Sequence, residues 1–191
     1  IQLQDGERSF CYWRSDSAAR TLAADPVPLQ AALDGADLAY FSGITLAILP
    51  PADRSRFLTV LRQFRSGGGI VVFDPNLRPK LWASPDEMTH AVMQAAAVSS
   101  IALPSYDDEA LWFGDDSPEA TLQRYLEAQV GCCVVKNGAG PITACDGGLS
   151  MNFDVIQDVL LVDSTAAGDS FNAGFIAARL QGADLRAAVH A

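Results

Sequence analysis

Short apolar runs alternate with longer amphipathic segments along most of this chain, and this alternation limits the fold more than any other feature of the sequence. Residues 70–73 read Ile-Val-Val-Phe, an uninterrupted apolar run that is typical of a strand buried on both faces of a parallel sheet. Residues 51–66 instead repeat their large apolar side chains at helical spacing. Strands and helices in alternation predict an α/β protein with a mostly parallel sheet.

The pattern predicts the main elements and the place of a ligand site. Strands are predicted over residues 36–42, 69–74, 98–103 and 132–136, a hairpin over 142–145 and 149–153, and helices over 51–66, 87–97, 117–129 and 168–180. Sheets of this kind bind ligands beyond the carboxyl ends of their strands. Residues that directly follow each strand are therefore the candidates for function.

Composition excludes several classes of protein. The formal net charge of −10 argues against general affinity for nucleic acid or an anionic membrane surface, and no apolar stretch reaches the length of a membrane span. Four cysteines without Cys-x-x-Cys spacing, beside two histidines, support neither a zinc site nor a disulfide framework. The expectation is a cytoplasmic enzyme that binds small molecules. Whether it forms a homo-oligomer is left open by the sequence.

The segment from residue 158 to residue 174 has the layout of an anion site. An apolar strand-like run leads into Ala166, Ala167 and Gly168, whose small side chains leave room for a ligand, and then into the predicted helix. Unpaired N–H groups and the positive end of the helix dipole would face a phosphate there. We expect Ala166 to keep its N–H available as long as its backbone does not require a positive φ.

Asp169 opens that helix beside the expected phosphate. A carboxylate repels an anion, so its presence there makes sense if it accepts the proton of a hydroxyl that attacks the phosphorus. The alternative is that Asp169 only caps the helix, a position where aspartate is favoured.

Residues 163–174 resemble the second signature of the ribokinase (PfkB-type) family of carbohydrate kinases, D-T-x-G-A-G-D-x-F-x-A-G. The matching residues are Asp163, Ala167, Gly168, Asp169, Phe171, Ala173 and Gly174. Ser164 and Ala166 depart from it, and the Ala-Ala-Gly-Asp form is similar to the branch that acts on 2-keto-3-deoxygluconate. The resemblance implies a ribokinase-like three-layer αβα sandwich with a mostly parallel central sheet, part of a small β lid near the N-terminus, and ATP and Mg²⁺ as cofactors.

The resemblance covers essentially all of residues 1–191, as one partial kinase domain. It implies a lid and substrate strand over about residues 1–15 and an α/β core over residues 36–191. Family members begin before Ile1 and continue past Ala191, so we expect the chain to be an internal part of a kinase.

Polar residues follow two of the predicted strands. Asp74-Pro75-Asn76 is a competent turn by itself, but the resemblance implies that Asn76 and Arg78 reach the sugar and nucleotide phosphates. Asn137-Gly138 between two strands predicts a hairpin turn. The resemblance instead places nucleotide contacts in this segment, at Lys136, Gly138 and Gly140.

An acidic segment, residues 103–110, lies where the family carries an N-x-x-E element that organises magnesium. One alignment puts Ser105 and Asp108 on the asparagine and glutamate positions, whereas the Glu-Ala pair favours Glu109, and both choices stay open. Coordination through water would suffice, because Mg²⁺ takes few protein ligands. The alternative is that acidic residues simply open a helix.

Substrate choice is indicated near the N-terminus. In an extended strand Tyr12 and Arg14 would share one face, where a guanidinium fork and a phenol can bind a carboxylate. The Tyr-x-Arg string resembles the branch that binds 2-keto-3-deoxygluconate through these residue types. A surface arginine on an amphipathic strand is the alternative.

Together these observations predict ATP-dependent phosphorylation of 2-keto-3-deoxygluconate at O6, giving 2-keto-3-deoxy-6-phosphogluconate. Asp169 would be the base and the N–H groups of residues 166–169 would stabilise the transferred group. The alternatives are another kinase of the family, for fructose, ribose or a nucleoside, and a catalytically silent sugar-binding module.

Overall fold

A computed structural model describes residues 2–4, 7–9, 16–155 and 165–191. The strands are β1 (Gln2–Gln4), β2 (Glu7–Ser9), β3 (Leu38–Ser42), β4 (Ile70–Asp74), β5 (Ile101–Ala102), β6 (Cys132–Val135), β7 (Ile142–Asp146) and β8 (Leu149–Phe153). The helices are α1 (Pro26–Leu33), α2 (Gly43–Ile48), α3 (Pro51–Ser66), α4 (Pro85–Ala96), α5 (Tyr106–Phe113), α6 (Pro118–Glu127), α7 (Ala167–Leu180) and α8 (Leu185–Val189). Short 3₁₀ turns lie at Ala18–Thr21 and Pro79–Leu81.

Six strands form the central sheet in the order β3-β4-β5-β6-β7-β8. The pairs from β3 to β6 are parallel, and β7 and β8 continue the sheet as an antiparallel hairpin. β1 and β2 form a separate antiparallel pair. The predicted α/β fold with a mostly parallel sheet is confirmed, because the helices between β3 and β6 supply the long crossovers that parallel strands need.

Helices cover both faces of the sheet, which gives three layers. On β4, Val71 and Phe73 pack with α2, α3 and α4 on one face. Val72 points the other way and packs with Phe175 of α7 and Leu185 of α8. Side chains alternate between the two faces along a strand, so a strand buried on both sides is apolar throughout.

Local signals fix the helix starts more sharply than the strand ends. The Ser84 and Ser117 side chains accept hydrogen bonds from backbone N–H groups in the first turns of α4 and α6, and a proline follows each serine. The predicted strand over 98–103 shortens to β5. Its first residues are drawn into the end of α4 instead, where Ser99 N–H bonds to the Ala96 carbonyl and the Ser99 hydroxyl to that of Ala95.

Three cysteines of the central sheet, Cys132, Cys133 and Cys145, are free and buried. Burial raises the pKa of Cys132 to about 12, so this thiol stays protonated and packs as a small apolar group. Over the residues described, none of the helices is both long enough and apolar enough to span a bilayer.

Candidate active site

A polar cavity opens at the carboxyl ends of the parallel strands. Asp74 ends β4, Ser105 follows β5 and Lys136 follows β6, while the first turn of α7 closes the opposite wall. The cavity has a volume of about 210 Å³. Its lining residues are Asp74, Asn76, Arg78, Ser105, Asp108, Lys136, Ala166, Ala167, Gly168 and Asp169. All of these except Asp74 were predicted site residues, so the sheet brings together segments that are far apart in sequence.

The turn after β4 is held by close packing against α2. A Cβ atom on Gly43 would lie 1.9 Å from the carbonyl oxygen of Pro75, so only glycine lets α2 approach the turn. Asn76 has a φ of 38°, a left-handed conformation that asparagine tolerates better than most residues. The segment therefore is a turn, as its local chemistry predicts, and it also places Asn76 and Arg78 on the cavity.

The start of α7 supplies main-chain donors to the same cavity. Ser170 N–H makes a 2.8 Å bond to the Ala166 carbonyl, so the N–H groups of residues 167–169 precede the first intrahelical bond. The small residues before Asp169 are exposed among the residues that the structure describes. Ala166 has a φ of 60°, so the condition under which we expected its N–H to stay available is not met.

Asp169 is the third residue of α7 and lines the cavity. The N-cap position belongs to Ala166, whose side chain makes no capping hydrogen bond. The alternative that Asp169 occupies the capping position therefore does not describe this helix. Its carboxylate stays available to a ligand in the cavity.

Lys136 and Asp74 meet at the floor of the cavity. The Lys136 ammonium lies 3.6 Å from Asp74 Oδ1 and donates to Asn172 Oδ1 at 3.0 Å. Asn172 Nδ2 donates to Asp74 Oδ2 at 2.9 Å and to the Tyr40 hydroxyl at 3.3 Å. A Cβ on Gly168 would lie 3.7 Å from Lys136 Nζ, so the ammonium sits directly below the start of α7.

Burial dominates the electrostatics of this floor. It raises the pKa of Asp74 although Lys136 opposes the change, and it lowers the pKa of Lys136 although Asp74 opposes that change. Burial, with the Asp74 charge adding to it, raises the pKa of Tyr40 to about 12, so the phenol remains a donor. The pKa values of Asp74 and Lys136 are therefore shifted in opposite directions, and shifted pKa values cluster at functional sites.

Asp108 and Glu109 are adjacent in sequence but lie in different environments. Asp108 lines the cavity and its carboxylate is 3.7 Å from the Arg78 guanidinium, whereas Glu109 is fully buried against Arg124 and Tyr125. Of the two carboxylates between which the sequence left the choice open, Asp108 is the one that lines the cavity, and its metal role stays a prediction. Burial raises the pKa of Asp108, with Arg78 opposing.

The donor set fits phosphate groups with a hydrated magnesium ion. Main-chain N–H groups, Arg78 and Lys136 face the cavity, and Asp108 is a carboxylate at its wall. Within the described ranges no three histidine, cysteine, aspartate or glutamate side chains cluster as a metal site. Mg²⁺ keeps several waters and binds through one or two carboxylates and the phosphates of a substrate, and Asp108 is a carboxylate of this kind at the cavity.

Two predicted site residues, Gly138 and Gly140, are not among those that line the cavity. Gly138 and Gly140 lie in the connection between β6 and β7, where Gly140 N–H bonds to the Asn137 carbonyl at 2.7 Å. They belong to the hairpin turn that the Asn-Gly pair predicts and do not line the cavity. Tyr12 and Arg14 fall outside the described residues.

Four residues of this site carried no functional prediction: Tyr40, Gly43, Asp74 and Asn172. Asp74 could have been found, because it is the last residue of a strand whose carboxyl end was predicted to face the ligand. Tyr40, Gly43 and Asn172 act through contacts across the fold, and no local pattern marks them.

Fold and cavity together define the class of ribokinase-like α/β proteins. A protein of this class from Polaromonas sp. JS666, a PfkB protein, superposes with a TM-score of 0.73 at 29% identity, over 84% of this chain and 52% of its own. An E. coli protein crystallised with ATP and Mg²⁺ has the same fold, with a TM-score of 0.79 at 24% identity over 96% of this chain and 58% of its own.

The chain belongs to the PfkB family: the model of the pfkB family carbohydrate kinases matches residues 1–191. It is 42% identical to a 2-dehydro-3-deoxygluconokinase from Dickeya dadantii, over 93% of this chain and 59% of the relative. A 2-dehydro-3-deoxygluconokinase from Haemophilus influenzae is 41% identical over 92% of this chain and 58% of the relative. The chain thus spans about three fifths of the length of these relatives.

Proposed function

We propose that the protein is an ATP-dependent kinase that phosphorylates 2-keto-3-deoxygluconate at O6. The observation that carries the proposal is the shared cavity, which has a volume of about 210 Å³. Asp169 and the exposed residues before it line this cavity together with Lys136 and Arg78. Positive side chains and main-chain donors around the cavity can bind phosphate groups, and Asp169 is a base beside them. Family membership agrees with this chemistry.

In the proposed reaction the Asp169 carboxylate accepts the proton of the sugar hydroxyl. The hydroxyl oxygen forms a bond to the γ-phosphorus of ATP while the bond from that phosphorus to the bridging oxygen breaks, and ADP leaves with the bond electrons. The products are the sugar phosphate, ADP and a proton that returns to solvent from Asp169. The exposure of Asp169 gives that proton a route out.

Fixed donors stabilise the group in transfer. We expect the N–H groups of residues 167–169, which precede the first intrahelical bond, to point toward the phosphoryl oxygens, and the helix dipole of the 14-residue α7 adds to their effect. Lys136 and Arg78 supply positive charge at the site of a protein whose formal net charge is −10. Asp108 would hold Mg²⁺ through water, and the ion neutralises phosphate charge when bound.

The acid substrate is supported by the sequence rather than by the described geometry. The relatives at 42% and 41% identity are 2-dehydro-3-deoxygluconokinases, a synonym for kinases of 2-keto-3-deoxygluconate. Tyr12 and Arg14 have the chemistry to bind the sugar carboxylate. Neutral sugars offer that arginine no partner.

The test is a coupled ADP-release assay on the complete gene product with 2-keto-3-deoxygluconate, fructose and ribose in parallel. We expect turnover of the sugar acid. Asp169→Asn should lower kcat at least about 100-fold, the lower end of the range for removal of a general base. Asp116→Asn, at an exposed position away from the cavity, is the matched control. A fully active Asp169→Asn variant would refute the base, and preference for fructose or ribose would refute the substrate. Sugar binding without ATP binding, measured by calorimetry, would indicate a silent module instead.

A further inference from the structure

Asn172 joins the floor of the cavity to the helix that carries Asp169. It lies three residues after Asp169 on α7, so both point to similar sides of the helix, and it is only 2% exposed. Its side chain contacts residues of three other segments: Tyr40 on β3, Asp74 at the end of β4 and Lys136 after β6. One amide therefore connects four segments at the site.

The amide of Asn172 uses both of its ends. The oxygen accepts from Lys136 Nζ at 3.0 Å and the nitrogen donates to Asp74 at 2.9 Å. Carboxylates of aspartate accept but do not donate when ionised, and an aliphatic side chain does neither. The amide carries its acceptor and its donor on two separate atoms, so Asn172 bridges the ammonium and the carboxylate at the same time.

The Asn172 amide determines which oxygen atom lies nearest to the Lys136 ammonium. Lys136 Nζ is closer to the neutral Asn172 oxygen, at 3.0 Å, than to the Asp74 carboxylate, at 3.6 Å. Because Asn172 Nδ2 donates to Asp74 Oδ2, one carboxylate oxygen has a partner other than the ammonium, and only Asp74 Oδ1 lies within ion-pair distance of Lys136, at 3.6 Å. An ammonium has three donors, so a donor remains that can face a phosphate in the cavity.

We infer that Asn172 is a positioning residue for phosphoryl transfer, which keeps the Lys136 ammonium within reach of the phosphate by preventing its 3.6 Å ion pair with Asp74 from becoming shorter. The inference rests on the proposed function and extends it to a residue that touches neither substrate. Without the amide, the Lys136 ammonium would form a shorter ion pair with Asp74, and its charge would be neutralised by the protein instead of by the phosphate. Charged groups facing Lys136 are Asp74, Asp108 and Asp169, and the test leaves all three unchanged.

A double-mutant cycle on the complete gene product separates positioning from a structural role. The variants are Asn172→Ala, Lys136→Met and the double variant, with Asn152→Ala, an exposed asparagine on β8, as control. We expect Asn172→Ala to lower kcat at least about 10-fold with KM for the sugar within about twofold, and Lys136→Met to lower it about 100-fold, as for loss of a preorganised donor. Because Asn172 acts through Lys136, the double variant should match Lys136→Met within about twofold.

Two kinetic results would overturn the inference: wild-type kcat in Asn172→Ala, or a double variant that is slower than Lys136→Met by the full Asn172→Ala factor. Thermal unfolding identifies a variant that fails to fold, and Asn172→Ser, which keeps a donor and an acceptor, then takes its place in the cycle. If the wild type phosphorylates no sugar, the proposed function fails, and the cycle is measured on the Kd of β,γ-imido-ATP. Asn172→Ala should then weaken binding only where Lys136 is present, and equal weakening in both backgrounds would overturn the inference.

Discussion

Arg124 Nη2 lies 2.8 Å from Glu109 Oε2, and this ion pair anchors α5 beside the cavity. The Tyr125 hydroxyl donates to the other Glu109 oxygen at 3.0 Å, and the Arg124 guanidinium also pairs with Asp115 and lies 3.7 Å from the Phe113 ring centroid. Glu109 is completely buried in this cluster. With Glu109 fixed inward, the preceding residue of the helix, Asp108, is turned toward the cavity.

The Glu109 cluster makes stability depend on pH. Burial raises the pKa of Glu109 from its ordinary 4.5 to about 7, with Arg124 opposing. The folded state then binds a proton that the unfolded chain has released, so this contribution is full below about pH 4.5 and is lost as the pH rises to about 7. Urea unfolding at several pH values should show wild-type stability falling relative to Glu109→Gln as the pH rises over this range. A constant difference between the two proteins would contradict the assignment.

Gly43 should tolerate no side chain. Gly43→Ala forces the Pro75 carbonyl away from its 1.9 Å clash with the new Cβ, and we expect a loss of at least about 2 kcal/mol in unfolding free energy. Gly131→Ala is the matched control, because its Cβ would meet nothing closer than the Ser100 carbonyl at 3.6 Å. Its unfolding free energy should change by no more than about 0.5 kcal/mol. Equal stability of the two variants in urea would show that the turn is not held by this contact.

Asp108 should govern the magnesium requirement. Replacing it by asparagine removes the carboxylate at the cavity wall, and we expect the Mg²⁺ concentration for half-maximal activity to rise about 10-fold, as for the loss of an outer-sphere metal partner. Asp107→Asn, one residue earlier and exposed, makes the same chemical change away from the cavity. Magnesium titration of initial rates compares the two. The same requirement in both variants would remove Asp108 from the proposed metal site.

Ala166 should be better replaced by glycine. Its φ of 60° costs an L-residue about 1 kcal/mol, so Ala166→Gly should raise the unfolding free energy by up to that amount. Ala177→Gly makes the same change at an exposed position inside α7 and should lower it by about 1 kcal/mol. Opposite signs in chemical denaturation are the expected result. A loss of stability in both variants would contradict the conclusion that the positive φ of Ala166 is unfavourable.

The element pattern was largely predictable because it is local. Predicted and observed bounds of α3 are the same, 51–66, since its apolar residues repeat at helical spacing and glycine follows its end. α2 was not predicted: residues 43–48 are mostly apolar and carry no helical period. A capping box between Ser42 and Thr45 starts this helix, and packing buries Leu46. The sequence of residues 43–48 does not specify a helix by its pattern, and the tertiary packing of Leu46 stabilises the helix there.

The site residues were likewise predictable where they depend on local sequence and not where they depend on tertiary contacts. Residues after the strands could be named in advance, because parallel strands carry their carboxyl ends to one edge of a sheet. The choice between Asp108 and Glu109 could not be made, because the rotation of α5 depends on Arg124, 15 residues away from Glu109.

By itself, the sequence determined the alternation of strands and helices, the family signature and the residues that gather at the ends of the strands, because each is written in short-range order. Only the tertiary structure decided which of those residues meet. Asp74 and Asn172 are 98 residues apart and share a 2.9 Å hydrogen bond. Such a contact depends on how α7 packs over the sheet, and the burial of the two polar groups requires them to find each other.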